Sequence, residues 1–228
     1  MPNTLIKRIV CPKCNESCEA KLYLTVNATN SPRFRDDTLD EKLFKWLCVS
    51  CGHEARLTYP FLYNDMKLRF MIYMIPNVDN FQLVDDELEK KYSAIKNIRK
   101  RLAPDFNVLK EKIFIFESGL DDMAVELTKL AISETVARKY GLNRAEEGYL
   151  STFNRTTNSL GFTFFLGDEK ETYIQSAQIE LYGKSMRIVN DLEIREKKID
   201  GFFKIDREWA DNVLIRYKKL KEEHRDDS

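Results

Sequence analysis

The sequence predicts an α+β protein in which an antiparallel β unit at residues 1–80 precedes a mixed unit of helices and antiparallel sheet at residues 81–228. Three observations support this prediction. Before Pro76, apolar and polar residues alternate in several short runs, which is the period of half-buried strands. After residue 85 the apolar residues recur every three or four positions, which is the period of a helix, and short alternating runs return after residue 149. The alternative is that both units pack together as one domain.

The composition is typical of a globular protein. Of the 228 residues, 43% are hydrophobic and 32% are charged, which is enough apolar material for a core. Lysine plus arginine equals aspartate plus glutamate at 37 each, so the chain lacks the strong positive charge of most nucleic-acid-binding domains. The N-terminus has no apolar segment of signal-peptide length, and FMIYMI (70–75) is too short to span a membrane. These features predict a cytoplasmic protein without a membrane interaction.

Alternation predicts three strands in the first unit. They are AKLYLTV (20–26), EARLTY (54–59) and KLRFMIYMI (67–75). The polar, turn-forming stretch NATNSPRFRDD (27–37) predicts a loop after the first of these strands.

The second unit is predicted to begin with an amphipathic helix over 85–102, where acidic residues occupy the first turn and basic residues the last. The run KIFIFES (112–118) predicts a short strand or connecting segment. A second helix over 121–140 starts at a pair of aspartates and ends at Gly141, which suits a helix C-cap.

Beyond residue 149 the predicted elements are a sheet and two helices. The runs YLSTFNR, GFTFFLG and ETYIQSAQ, separated by short polar turns, predict a three-stranded meander. Apolar residues from Ile179 to Leu192 predict a helix that Gly183 interrupts, and Asp206 to Glu222 predicts the last helix.

Four of the five cysteines form two C-x-x-C pairs. In the cytosol thiols stay reduced, so clustered cysteines indicate metal binding or catalysis rather than disulfides. Each pair suits a tight turn that directs two sulfurs to one point, and Zn²⁺ binds four such soft ligands in a tetrahedron. The spacing therefore predicts a zinc-ribbon-like β unit with a structural zinc site. The predicted ligands are Cys11, Cys14, Cys48 and Cys51.

The residues that follow each pair support the turn. Gly52 follows the second pair and Asn15 the first, and these two residue types best tolerate a left-handed backbone conformation. The fifth cysteine, Cys18, has no matching partner. It is interpreted as a small half-buried residue, with a redox-sensing role or a role as an alternative ligand as the other interpretations.

A redox dithiol is the main alternative to the metal site. IVCPKC is similar to the dithiol of a glutaredoxin, in which Cys11 would be a nucleophile with a lowered pKa. That chemistry needs a helix directly after the motif, whereas AKLYLTV alternates like a strand. An iron–sulfur cluster is compatible with the number of cysteines, but two separated pairs in β hairpins fit a single zinc ion better.

Three segments together resemble the CpXC family of bacterial and archaeal proteins. They are CPKC, CVSCG followed by YPFLYNDMKLRFMIYMIP, and EKIFIFESGLDDMAVELTKL, and the resemblance spans roughly residues 6–135. It implies a zinc-ribbon-like, zinc-binding protein of uncharacterised role. The positions that it carries over are the four paired cysteines, and Asn15 stands where the family commonly has glycine.

Few other residues predict chemistry. His53 is interpreted as a surface histidine rather than a substitute ligand, because four cysteines already complete the shell. Asp65 is interpreted as a turn residue, and Asp121 with Asp122 as the start of a helix rather than as catalytic acids. The sequence contains neither a Walker-type phosphate loop nor a G-x-S-x-G nucleophile motif. These observations favour a protein that is not an enzyme.

Two stretches suggest contacts with other molecules. The basic residues Lys96, Arg99, Lys100 and Arg101 are interpreted as a solvated helix end, with contact to nucleic-acid phosphates as the alternative. LFKW (43–46), beside the second cysteine pair, predicts an exposed patch for a protein partner. The favoured function is a zinc-binding protein-interaction or accessory module. A nucleic-acid-binding zinc ribbon is the first alternative and a thiol oxidoreductase the second.

Overall fold

Two groups of residues pack as units in the protein. The computed structural model describes residues 2–76, 90–92, 94–141, 147–166, 171–192 and 201–226. The N-terminal unit consists of residues 1–110 and 200–202, and the C-terminal unit consists of residues 111–199 and 203–228. Helices and sheets are both present, which confirms the α+β class. The boundary that the sequence predicts, at residues 80/81, lies outside the described residues, and that domain division remains a prediction.

The described elements are eleven strands, five α-helices and a short 3₁₀-helix at Lys42–Phe44. The strands are β1 (Asn3–Val10), β2 (Ser17–Asn27), β3 (Lys45–Leu47), β4 (Glu54–Arg56), β5 (Phe61–Asp65), β6 (Phe70–Met74), β7 (Arg99–Ala103), β8 (Glu147–Asn154), β9 (Ser159–Leu166), β10 (Glu171–Gln178) and β11 (Phe202–Phe203). The helices are α1 (Pro32–Leu39), α2 (Phe106–Glu117), α3 (Asp122–Lys139), α4 (Ile179–Asp191) and α5 (Arg207–Asp226). None of the described helices is long and apolar enough to cross a membrane.

The N-terminal unit contains a six-stranded sheet in the order β1-β2-β5-β6-β7-β11. The pairs β1/β2 and β5/β6 are antiparallel, whereas β2/β5 and β6/β7 are parallel. A separate two-stranded sheet, β3/β4, is antiparallel. The first cysteine pair lies in the turn between β1 and β2, and the second lies between β3 and β4. The two β hairpins therefore each carry one half of the predicted metal site.

The predicted helix over 85–102 is wrong at its C-terminal end. Arg99–Ala103 is strand β7 and pairs in parallel with β6, and residues 85–89 and 93 lie outside the described part of the chain. Asn97 has a φ of 57°, which is incompatible with a continuing helix. Ile98 and Leu102 are both buried in one apolar cluster. Their spacing of four residues satisfies a helical period and a strand period equally, so it could not distinguish the two.

Two shorter predictions are also wrong. KIFIFES belongs to helix α2, whose buried residues Leu109, Ile113 and Phe116 follow a helical spacing. Helix α2 also buries Ile115, so Ile113 and Ile115 follow the alternation of a strand, just as Ile113 and Phe116 follow the period of a helix. The predicted loop over 27–37 contains most of helix α1, which begins with Pro32, a residue that suits the first turn of a helix.

Beyond helix α2, the described elements of the C-terminal unit match the sequence prediction closely. Helix α3 begins after Asp121, whose Oδ1 accepts a hydrogen bond from the backbone N–H of Ala124 at 3.1 Å, and the chain turns at Gly141 with a φ of 66°. Strands β8, β9 and β10 form the predicted antiparallel meander. Helices α4 and α5 confirm the last two predicted helices, and Gly183 is accommodated inside α4.

Candidate metal centre

The two cysteine pairs form turns with the same backbone hydrogen bonds. In the first turn, Cys11–Asn15, the N–H of Asn15 donates to the carbonyl of Cys11, and the N–H of Cys11 donates to the carbonyl of Glu16, both at 2.9 Å. In the second turn, Cys48–Gly52, the N–H of Gly52 donates to Cys48 and the N–H of Cys48 donates to His53, again at 2.9 Å. We call these turns the first and second knuckle.

The residue that closes each knuckle has a left-handed backbone, as the sequence predicted. Asn15 has a φ of 60° and Gly52 a φ of 71°. An ideal Cβ built on Gly52 would meet no atom within 4 Å, so the requirement for glycine comes from the backbone and not from crowding.

The knuckles bring four sulfur atoms together. The Sγ atoms of Cys11, Cys14, Cys48 and Cys51 all lie within 4.8 Å of one another. Cys11 and Cys51 are 3.7 Å apart at Sγ, as are Cys14 and Cys48. We call this group the cysteine cluster. Its close contacts join sulfurs of different knuckles, so one small ion between the hairpins could contact all four.

The cysteine cluster is shielded on one side by an apolar wall. Cys11 and Cys48 are fully buried, and they pack with Ala20, Leu22 and Trp46. The indole Nε1 of Trp46 donates to the carbonyl of Glu19 at 3.2 Å, which holds the ring against β2. Cys14 and Cys51 are only half buried. The site is therefore a partly covered group of four thiols. The apolar side chains exclude water from Cys11 and Cys48, whereas Cys14 and Cys51 remain partly exposed.

The pKa values of Cys48, Cys14 and Cys51 are shifted in different directions. Burial works to raise the pKa of Cys48, but N–H groups of Cys51 and Ser50 hydrogen-bond to its sulfur and lower the pKa to about 6. At Cys14 a hydrogen bond from the N–H of Glu16 lowers the pKa. Burial and the neighbouring sulfurs outweigh this effect and raise the pKa to about 12. The pKa of Cys51 is also raised, against the lowering effect of the His53 backbone. The close neighbouring sulfurs thus oppose ionisation of Cys14, an effect that a cation among them would offset.

The chemistry of this donor set fits a soft or borderline divalent ion. Four thiolates in a closed shell suit Zn²⁺, and they leave no coordination position for a substrate. Among the described residues, these four cysteines are the group of potential ligands close enough to hold a metal ion. His53 contributes its backbone carbonyl to the second knuckle and is absent from this group.

The fifth cysteine lies beside the cluster. Cys18 is buried, and its Sγ is 3.7 Å from the Sγ of Cys48. Cys18 lies three residues beyond the first knuckle and is held in β2, where it pairs with Ile9. The sequence indicated a half-buried residue, whereas Cys18 is buried, and it did not indicate contact with a predicted ligand.

The exposed patch that the sequence predicts at residues 43–46 is wrong. Leu43, Phe44 and Trp46 are at most 7% exposed and belong to the core. The exposed apolar side chains of this region lie next to them in the chain, at Leu47 with 54% and Val49 with 85% exposure. Because β3 alternates, Trp46 faces the cysteine cluster and Leu47 faces outward.

The basic stretch is not the end of a helix either. Lys100 and Arg101 lie in β7 and are 1% and 3% exposed, whereas Lys96 is exposed. The Nζ of Lys100 donates to the carbonyl of Tyr92, and Nη1 of Arg101 donates to the carbonyl of Lys100. These two side chains are therefore not available to nucleic-acid phosphates.

Asp65 and Asp121 have the structural roles that the sequence indicates. Oδ1 of Asp65 accepts hydrogen bonds from the hydroxyl of Thr29 and from the N–H groups of Lys67 and Leu68, which closes the turn between β5 and β6. Asp121 caps α3. Asp122, however, belongs to a buried group of charges.

This second group, which we call the ion-pair cluster, was not predicted. It lies in the C-terminal unit, and its members are Glu111, Lys112, Asp122, Glu126 and Lys129. Nζ of Lys129 is 3.1 Å from Glu111 and 2.9 Å from Glu126. Nζ of Lys112 is 3.1 Å from Asp122. Oε1 of Glu111 also accepts the N–H of Leu150 at 2.7 Å.

The ion-pair cluster provides its own counter-ions. Burial works to lower the pKa of Lys129, but Glu111 and Glu126 outweigh it and raise this pKa. Burial raises the pKa of Glu126, against the lowering effect of Lys129 and Lys112. The only trace in the sequence is the i, i+3 spacing of Glu126 and Lys129, which is common on solvated helices and carries little information.

The fold and the four-thiol site define a class of protein whose N-terminal β hairpins hold a cysteine cluster able to bind a metal ion. Comparison with protein-family profiles identifies one family. The chain belongs to the CpXC family, since the profile described as CpXC protein matches residues 9–129. That match includes both knuckles and the whole ion-pair cluster. No curated protein and no solved structure shows significant similarity to the chain.

Proposed function

We propose that this protein binds one zinc ion through the cysteine cluster and that the ion stabilises the N-terminal unit without taking part in a reaction. The observation that supports the proposal is the approach of four sulfurs to within 4.8 Å from two knuckles with the same backbone geometry. A closed shell of four thiolates has no open position for substrate, which favours a structural ion. The ligands in this proposal are Cys11, Cys14, Cys48 and Cys51.

Elemental mass spectrometry of the purified protein tests the metal. We expect one zinc per chain in the wild type and loss of zinc in Cys48→Ser, because a hydroxyl is a poor ligand for this ion. Val49→Ala is the matched control: this side chain lies in the same knuckle but is 85% exposed, and the variant keeps its zinc. A wild type that is folded and free of metal contradicts the proposal and favours a redox dithiol.

A protein-interaction role is the second part of the proposal. Leu47 and Val49 are exposed at the second knuckle, and Val10 is 65% exposed directly before the first. Large apolar side chains in water at a metal-stabilised turn favour contact with a protein partner. A cytoplasmic location accords with this role and stays part of the proposal.

Crosslinking in cells, with a tagged chain as bait, tests the interaction. Val49→Lys should lose a protein that the wild type retains, whereas Ile215→Lys, a matched change at a side chain that is 54% exposed in α5, should keep it. Zinc content is measured in both variants to show that the second knuckle is intact. If both variants retain the same proteins, the second knuckle is not the interaction surface.

The nucleic-acid alternative makes a different prediction. Binding through phosphate contacts weakens steeply as salt increases, whereas apolar contacts at Leu47 and Val49 do not. The burial of Lys100 and Arg101 removes two of the four cations on which that alternative depended.

A further inference from the structure

The fifth thiol, Cys18, contacts the cysteine cluster at Cys48. Cys18 is 5% exposed, and its Sγ lies 3.7 Å from the Sγ of Cys48. The same sulfur lies 3.8 Å from Oγ of Ser50, the residue in the middle of the second knuckle. Cys18 comes from β2 rather than from either knuckle. The pairing of β1 with β2 therefore places the Cys18 thiol next to Cys48, a proposed ligand from the β3/β4 hairpin.

Metal binding determines the direction of the hydrogen bond between the two sulfurs. Without metal, either thiol can be the donor. When Cys48 binds a metal ion it is a thiolate and has no proton to donate. Only Cys18 can then donate, and its own lone pair can accept the hydroxyl proton of Ser50. The contacts form a short chain from Ser50 through Cys18 to the sulfur of Cys48.

We infer that Cys18 is a positioning residue of the metal centre, whose S–H group hydrogen-bonds to the Cys48 thiolate and retains the ion; this inference rests on the proposed zinc site. A hydrogen bond to a ligating sulfur stabilises its negative charge and fixes its orientation toward the ion. Residues that hold ligands in this way are commonly worth about 10–100-fold in metal affinity. A thiol is a weak donor, so Cys18 belongs at about the lower end of that range.

A pair of substitutions separates hydrogen bonding from packing. Cys18→Ala removes the donor, and Cys18→Ser keeps a donor at the same position. Both are compared with the wild type and with Leu22→Ala, which deletes a buried side chain of the same apolar cluster but no donor.

Two measurements are made on each protein, neither of which is an activity. The first is the energy of the thiolate-to-metal charge-transfer band after loading with Co²⁺. The second is the rate at which the Zn²⁺ form gives up its ion to excess chelator. In Cys18→Ala the band should move to lower energy, because the sulfur loses a hydrogen bond, and zinc loss should accelerate about tenfold. Cys18→Ser should resemble the wild type, and Leu22→Ala should leave the band in place.

Several results would overturn the inference. If Cys18→Ala no longer binds one equivalent of Co²⁺, Cys18 is itself a ligand. If Cys18→Ala matches the wild type in both measurements, Cys18 has no role in the centre. A change in Cys18→Ser as large as that in Cys18→Ala assigns the effect to packing. If the wild type binds neither ion, the proposed zinc site is wrong and so is this inference. If the wild type binds both ions but Cys18→Ala behaves like it, only the inference about Cys18 is wrong.

Discussion

The cysteine cluster and the ion-pair cluster are both groups of ionisable side chains withdrawn from water, but they balance their charge differently. Every member of the cysteine cluster is an acid, so ionisation can only add negative charge. The ion-pair cluster combines three carboxylates with the ammonium groups of Lys112 and Lys129. The first group can therefore be balanced only by a cation from solution, whereas the second has cations built into the chain.

This difference shows where the free energy of each cluster comes from. A metal ion contributes binding free energy to folding, since the unfolded chain does not hold four thiolates in place. Buried ion pairs provide little net stability compared with apolar residues, but breaking one of them is costly because the remaining charge stays buried. Removing a bound metal ion should therefore destabilise the cysteine cluster only. Removing a side-chain charge should destabilise the ion-pair cluster.

Chelation of the metal is expected to have the largest effect. Structural zinc sites contribute about 10–16 kcal/mol in small zinc-dependent peptides, so the N-terminal hairpins should lose their packing when the ion is removed. Each unit has its own tryptophan: Trp46 packs against the cysteine cluster and Trp209 against the core of the C-terminal unit. Chelator should shift the emission of the Trp209→Phe protein to longer wavelength.

The converse variant is the control for this measurement. Trp46→Phe retains only Trp209, and its emission should stay unchanged by chelator. Equal shifts in both variants would contradict the view that the two clusters depend on different cations.

Loss of Lys112 is expected to have the next largest effect. Lys112 and Asp122 are buried to 1% and 0% side-chain exposure, so Lys112→Met leaves a carboxylate without this partner and should lower the free energy of unfolding by about 3–5 kcal/mol. Urea denaturation measures the change. The matched control is Lys42→Met, whose pair with Asp40 is exposed to solvent, so its loss should change the free energy of unfolding little.

A double substitution sharpens this test. Lys112→Met with Asp122→Leu removes both charges, and much of the lost stability should return because no buried charge is left. A double variant as unstable as the single one would show that the pair itself, rather than the isolated carboxylate, accounts for the loss.

The ion-pair cluster should also make stability depend on pH. Burial raises the pKa of Glu126 in the folded protein, so the folded state binds a proton more tightly than the unfolded state. The contribution is complete below the unfolded pKa of about 4.3 and is lost as pH rises from there through the raised folded pKa. Glu126→Gln removes this titration, and its free energy of unfolding should fall less with rising pH than that of the wild type. Parallel pH profiles in urea denaturation would contradict the prediction.

The smallest expected effect comes from substitution of the left-handed residue that closes each knuckle, and its sign should differ between the two knuckles. Gly52→Ala places a side chain at a φ of 71°, which costs about 1–2 kcal/mol for a non-glycine residue. Asn15→Gly at a φ of 60° should be neutral or raise stability by about a few tenths of a kcal/mol. Thermal unfolding with zinc present measures both. A stabilising Gly52→Ala would show that the left-handed turn is not required.

The sequence was informative where function depends on local geometry. A tight turn brings together residues two apart, so C-x-x-C spacing, with Asn15 and Gly52 after it, is sufficient to predict each knuckle. Helix α3 and the β8–β10 meander were predictable for the same reason, since caps and alternation act over a few residues.

Prediction failed where a local pattern fits two structures. Ile98 and Leu102 satisfy strand and helix alike, and only pairing with β6 makes Arg99–Ala103 a strand. The same pairing buries Lys100 and Arg101, which by composition look like solvated cations. At the second knuckle, β3 turns Trp46 inward and Leu47 outward, although both are large and apolar.

The two cysteine turns could be predicted from the sequence alone, because the hydrogen bonds that form each turn join residues only a few positions apart. Three contacts depend on the packing of distant elements: the facing of sulfurs across the hairpins, the approach of Cys18 to Cys48, and the pairing of Glu111 with Lys129. These contacts join residues far apart in the chain, so their geometry depends on sheet order and helix packing, which no short spacing encodes.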